Sequence, residues 1–265
     1  LRGPRNSPQR RLSSGLLSMN GDQHKRQRRL MMEAFMKRAI QGYLPTIRTH
    51  IEECLVNWRP GEERDISREM TEFMLRLTSS MLFGMESDGA VAYRIGRMID
   101  HWVNLNHELG MGMFVSSPEI TGRYDELLGF AGELEQEIAG LIRARRNVGG
   151  AGHDVLSMIL QAHDEQGVIS DDELVGQAAL VFAAAHLTTA HSLTWTLMLL
   201  AQHPDVMQSL HAELRQQLSG GFPTLEATEQ LPVLDRVLKE SMRVLPASSY
   251  SQRMTTQPVQ LGPFQ

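Results

Sequence analysis

The run LVGQAALVFAAAHLTTAHSLTWTLMLLAQHP, residues 174–204, contains no Asp, Glu, Lys or Arg. Its length and continuous apolar character fit a helix, roughly 45 Å long at about 1.5 Å per residue. A charge-free run of this length resembles a membrane span. Gln177, His186, Thr188, Thr189, His191 and Gln202 argue against that, because several of them would face lipid with no partner. A helix that is polar in spots but uncharged is expected through the middle of a water-soluble core.

Working outward, Ser170-Asp171-Asp172-Glu173 reads as a capping box at the start of this helix. His203-Pro204-Asp205 restarts a helix with Pro at its first position, running to Leu218. Upstream, Ile40, Tyr43, Leu44, Ile47, Ile51, Leu55 and Trp58 recur at helical steps, with Pro45 predicting a kink or break. Ile66, Met70, Phe73, Met74, Leu77 and Met81 form the next stripe, closed by Gly84. Val91–Leu109, Tyr124–Ile142, Val155–Ala162 and Leu231–Leu245 predict further helices, with a loop at Met111–Pro118 and a flexible break at Asn147–Gly152. Tyr250–Gln265 has β-like and turn character. The fold class is mainly α, multi-helical around one long central helix, with a little β at the C-terminal end.

Composition fits this reading. The chain has 265 residues, 42% hydrophobic and 22% charged, which excludes collagen-like and wholly disordered classes. Aromatics are 6% while Met reaches 16 residues, which favours an adaptable helical core over a β-sandwich. Cys54 is the single cysteine, so no internal disulfide and no multi-cysteine metal site can form. A reducing compartment and a cytoplasmic location are expected, with no signal peptide visible in the first residues. Residues 1–38 carry ten Lys/Arg against two acids, a net of +8, and the remainder carries −13 to give −5 in all. A basic end on an acidic body points to an anionic partner for that end or to a solvated tail.

Few residues invite chemistry by spacing alone. His24 and Arg28 lie four apart, on one helix face, and suit a carboxylate or phosphate. Glu240 and Arg243 form an i, i+3 pair. Ala183–Ala185 are small enough for something flat to approach the backbone, and Thr188 can bond back to a carbonyl one turn earlier or offer its hydroxyl to a ligand. His186 and His191 are five apart and share a face poorly, so no metal site is expected. No Ser/His/Asp arrangement, P-loop or dinucleotide fingerprint is present. The basic stretch lacks interleaved aromatics, which argues against nucleic acid as a partner.

In order and separation these pieces resemble the cytochrome P-450 family of heme-thiolate monooxygenases. Gly21-x-x-His24-x-x-x-Arg28-Arg29 with Phe35 is similar to the family's C helix, and Phe182–Ala190 to its central I helix. Glu240-x-x-Arg243 is similar to the K-helix pair, and Arg253 to a strand arginine downstream of it. The resemblance implies heme b as cofactor, with His24, Arg28 and Arg253 on its propionates and Ala184 and Ala185 beside its distal face. It implies Thr188 as the catalytic alcohol and Glu240 with Arg243 as structural. Phe182, Ala247, Ser248 and Ser249 would meet substrate, and Trp102–Phe114 would roof the pocket. The implied reaction oxidises an apolar small molecule with O2 and electrons from a ferredoxin or flavoprotein reductase. Lys25, Arg26 and Arg29 would lie where an acidic donor docks.

Two departures from the family pattern carry consequences. Ala185 stands at a glycine position and Leu187 at the position of the acid that works with the alcohol in proton delivery. The axial cysteine loop is expected downstream of Gln265, so residues 1–265 correspond to the central part of a single domain, without its N-terminal segment or that loop. The alternative is a truncated polypeptide with no stable heme and no catalysis.

Overall fold

The computed structural model describes residues 1–84, 89–112, 118–147, 152–166, 170–218, 221–249, 255, 257–260 and 262–263, with backbone alone for 111–112 and 163–166. Eleven α-helices are present among them. They are α1 Pro8–Leu12, α2 Gly21–Met32, α3 Lys37–Leu55, α4 Ile66–Phe83, α5 Gly89–Gly112, α6 Pro118–Asn147, α7 Val155–Gln166, α8 Asp171–Gln202, α9 Pro204–Gln217, α10 Leu225–Thr228 and α11 Pro232–Val244.

The charge-free run forms α8, and its start is set by the sequence as expected. The Ser170 hydroxyl accepts from the Glu173 amide at 3.3 Å, and the Glu173 carboxylate accepts from the Ser170 amide at 3.0 Å. By length and composition α8 could cross a membrane, but 56% of its most apolar window is buried against other helices. Helix α4 lies along it most extensively. Met74 and Leu77 of α4 meet Ala190 of α8. On its other sides α4 packs against α3 and α5, which explains why Leu75, Leu82 and Phe83 are buried as well as the expected Met70–Met74–Leu77 stripe.

Two glycines set how closely elements cross α8. A Cβ on Gly176 would sit 2.7 Å from the Arg11 carbonyl oxygen, and one on Gly96 would sit 2.9 Å from the Phe182 ring. The first lets the segment after α1 cross α8, and the second lets α5 close onto α8.

The basic N-terminal end is not a solvated tail. Leu12, Leu30 and Met31 are buried, and Gln9, fully enclosed, accepts from the Trp102 indole at 2.6 Å and donates to Asn106 at 2.7 Å. Arg11 makes a two-point ion pair with Glu135 on α6. Its neighbours' apolar side chains, interleaved with the charges, supply the burial that holds it.

Helix α3 runs unbroken through Pro45, and its buried side is Ala39, Tyr43 and His50, so Ile40 and Leu55 at the edges of the expected stripe are exposed. At the far end, Glu213 of α9 caps α11 by accepting from the amides of Val233 and Leu234 at 2.8 and 3.0 Å. No strand occurs among the described residues. Those of 255–263 that are described form extended and turn backbone, and the rest of the expected β-like stretch lies outside them.

Candidate functional site

Helix α8 does not stay buried along its length. Its first half is enclosed through Leu174–Ala179 and Phe182, but Ala184, Thr188, Thr189 and His191 are exposed. At about 100° per residue, Gln177, Val181, Ala184, Thr188 and Trp195 fall on one side of the helix. That side is covered at Gln177 and opens at Ala184 and Thr188, a small and a hydroxyl side chain with no charge beside them on the helix, before the half-buried Trp195. The expectation of burial throughout therefore fails for the second half. The neighbouring helices α4, α5 and α6 all lie on the opposite side.

Phe182 belongs to that opposite side. It is 0% exposed, stacked on Phe83 with ring centroids 6.0 Å apart, and 5.5 Å from the His186 ring. Two residues of helix rotate it about 200° from Ala184, so it is a core residue and not a wall of the open stripe. Trp102, also expected to roof a pocket, is buried and turned toward α1. Met113 and Phe114 lie outside the described residues.

Thr188 bonds back as its position in a helix allows, its hydroxyl donating to the Ala184 carbonyl at 2.5 Å. Ser192 does the same to the Thr188 carbonyl at 2.8 Å, and Thr196 to the Ser192 carbonyl at 2.7 Å. Leu187 is half-buried on the flank of the stripe.

Helix α2 reaches the covered end of the same side of α8. Gln23 donates to Glu173 at 3.1 Å, and Gln177 donates to Gln27 at 3.4 Å while accepting from the Leu16 amide at 3.1 Å. Gln177, the one polar residue of the charge-free run before His186 and fully buried, is thus the pin between the two helices. His24 and Arg28 each follow one of these two α2 glutamines by one residue, about 100° round the helix on the same flank of the contact line. His24 is half-buried and Arg28 exposed, and neither side chain has a hydrogen bond or ion pair among the described residues. The stripe at Ala184 begins about 10 Å along the axis from Gln177. An imidazole and a guanidinium thus lie on one flank of the helix that is pinned to the covered end of this side of α8, and the uncharged shelf opens further along α8. This arrangement can hold a flat, largely apolar molecule with an anionic edge.

Glu240 and Arg243 pair in fork-to-fork fashion on exposed α11, both contacts at 2.7 Å. Arg243 holds the Glu240 carboxyl below its ordinary range, and Glu240 raises the guanidinium. Helix α11 is tied to α8 by a hydrogen bond between the Thr196 and Ser241 hydroxyls, 2.9 Å apart. Ala247, Ser248 and Ser249 follow in an open loop, half-buried at Ala247 and exposed at the serines. Arg253 lies outside the described residues. Cys54 lines a charged groove of about 750 Å³ between α3 and α4, and burial raises its thiol. No cluster of three metal-ligating side chains occurs among the described residues.

One buried feature was not signalled by spacing. His186 faces away from the stripe, its Nε2 3.2 Å from the Thr71 carbonyl and its Nδ1 3.5 Å from Asp100. Burial lowers its imidazole, against the opposing pull of that hydrogen bond and of Asp100. It anchors the middle of α8 to α4 and α5.

The family model for cytochrome P-450 matches residues 3–264. Cyclooctat-9-en-7-ol 5-monooxygenase from Streptomyces melanosporofaciens is 30% identical over 95% of this chain and 55% of its own length. Pentalenene oxygenase from Streptomyces avermitilis is 29% identical over 94% of this chain and 56% of its own length. The solved heme domain of a cytochrome P-450DA mutant superposes with a TM-score of 0.75 at 26% identity, over 92% of this chain and 55% of that one. The chain spans about half the length of the relatives it matches. With a family match over almost every residue and the same helical framework, the chain belongs to the cytochrome P-450 family.

Proposed function

We propose that this chain forms the central part of a heme-dependent monooxygenase domain that oxidises an apolar small molecule. The observation that carries the proposal is the open stripe of α8 next to two unpaired donors on α2. Heme b, when bound, supplies the oxygen-activating iron. The residues present fit it: an uncharged face at Ala184 and Ala185 receives a flat ring system, and His24 and Arg28 offer donors to its carboxylates.

Within this reading Thr188 holds a hydroxyl at the face where oxygen and substrate meet. Its proton is committed to the Ala184 carbonyl, leaving the oxygen lone pairs to accept from a water. Arg253 is assigned to the carboxylates from the far side, and Ala247, Ser248 and Ser249 to the substrate wall. Glu240 and Arg243 act as a structural fork. Electrons come from a ferredoxin or flavoprotein reductase, for which the exposed Arg26 and Arg29 next to Lys25 offer a basic docking face. A cytoplasmic location belongs to the same proposal.

Hemin titration followed by Soret absorbance tests it. The chain should bind hemin saturably, and Arg28→Ala should weaken binding about tenfold, the loss of a charge-assisted hydrogen bond of about 1.5 kcal/mol. Lys239→Ala, on the solvent side of α11, should bind as the parent does. Equal affinity in all three proteins would overturn the proposal.

A further inference from the structure

We propose that His191 is the proton-holding side chain of the Thr188 face, working from the flank where Leu187 provides no acid. The inference rests on the heme monooxygenase reading above and names a residue that reading leaves unassigned.

Helix geometry places His191 there. Taking Thr188 as the origin and about 100° per residue, Leu187 lies about 100° to one side and His191 about 60° to the same side. His191 is therefore one turn beyond Leu187 on the same flank, at i+4, and at i+3 from Thr188. Such pairs stand about 5–6 Å apart at Cβ, a gap that one water bridges. His191 is exposed and makes no hydrogen bond or ion pair among the described residues. Only three titratable side chains occur between Leu174 and Pro204, His186, His191 and His203. His186 points to the opposite side and is engaged with Thr71 and Asp100. His203 caps the end of α8, three turns beyond His191. On the open stripe, His191 is the one side chain of a type that both accepts and gives up a proton.

The reaction class requires such a group. Inserting one atom of O2 into a C–H bond consumes two electrons and two protons and releases one water. The electrons come from the ferredoxin or flavoprotein donor. A proton leaves the imidazolium for the water held by the Thr188 oxygen, and the neutral imidazole is recharged from solvent because its other edge is exposed. His186 on α8 interacts electrostatically with His191, Glu72 of α4 and Asp100 of α5 face His186 from the far side, and Glu240 and Arg243 of α11 neutralise each other.

Two measurements test the proposal. In 15N-histidine spectra of the 265-residue chain, Leu187→Asp should raise the His191 titration midpoint, since a carboxylate at i−4 favours the imidazolium. An unmoved midpoint overturns the placement, whether or not heme binds. The second uses heme-loaded protein with ferredoxin, its reductase and NADPH, and reads peroxide released per O2 consumed across pH 5.5 to 8. Slow proton supply diverts O2 from water to peroxide. His191→Gln should raise the peroxide share several-fold and flatten its pH dependence. Adding Leu187→Asp to His191→Gln should restore a low share, and Thr189→Ala, on the other flank, should leave it unchanged. A peroxide share indifferent to His191→Gln overturns this inference while the heme reading stands; a chain that takes up no heme overturns both.

Discussion

Replacing Phe182 by alanine separates a core residue from a pocket residue two positions before the open stripe. The Phe182 ring is fully enclosed, stacked on Phe83 and leaning on His186. Its edge lies so close to α5 that a methyl group on Gly96 would touch it at 2.9 Å. The walls of the space it fills are therefore partly helix backbone, which cannot collapse into a cavity. Truncating an aromatic ring at such a site costs about 3–5 kcal/mol, and alanine's better helix propensity returns only a few tenths. In a protein of this size that is a fall in Tm of about 10 °C. Thr188→Ala removes an exposed hydroxyl whose bond to Ala184 competes weakly with the helix, so its stability should change by less than about 0.5 kcal/mol. Urea unfolding followed by far-UV circular dichroism measures both. A loss below about 1 kcal/mol for Phe182→Ala, in the range of ordinary surface changes, would refute the assignment of that ring to the core.

Glycines on α6 and α8 should respond in opposite directions. Gly176→Ala drives a methyl group to within 2.7 Å of the Arg11 carbonyl, and overpacking of about 1–3 kcal/mol should exceed the helix-propensity gain of about 1. Gly129→Ala, with open space around it, should stabilise by about that gain, and thermal melts would compare the two. His186 makes stability depend on pH. Its folded-state imidazole is lowered from the ordinary 6.5 by burial, so below that pH the unfolded chain binds more protons and stability falls as pH drops. The difference between parent and His186→Gln, read by urea midpoints from pH 5 to 8, should be flat above about 6.5 and shrink below it. A difference that grows toward acid pH would show that His186 is charged in the fold.

Much of the fold was legible because local signals acted alone. Ser170 and Glu173 form both bonds of the capping box, and Pro204 and Pro232 begin helices where a missing amide costs nothing. The positions of α4, α5, α6 and α9 follow from apolar stripes, but α5 at Gly89–Gly112 and α6 at Pro118–Asn147 run past the expected Val91–Leu109 and Tyr124–Ile142, because polar turns at helix ends carry no stripe. Shorter helices escaped: α1 and α10 are too brief for a periodic stripe and are marked only by Ser7 and Thr224, whose hydroxyls cap them.

The orientation of α8 was the larger gap. A helix apolar on every side gives no preferred face, so nothing in the run separated Phe182, turned into the core, from Ala184, turned out of it. The i, i+4 spacing of His24 and Arg28 gave their shared face but not their freedom from acidic partners. At the contact between α2 and α8 it is Gln23 that takes up Glu173, and Gln27 meets the uncharged Gln177. Similarly, Glu240 and Arg243 were paired from spacing alone, while the tie from Thr196 to Ser241 that places their helix needed the three-dimensional contact.

The central claim is that the open stripe of α8 is one wall of a heme site. Methyl spectra of 13C-alanine-labelled protein, recorded before and after one equivalent of hemin, test it most directly. The account predicts that Ala184 and Ala185 shift or broaden, that Ala131 and Ala179 in the core keep their positions, and that Arg28→Ala raises the hemin needed for the same change. Hemin that binds while leaving Ala184 and Ala185 untouched would contradict it.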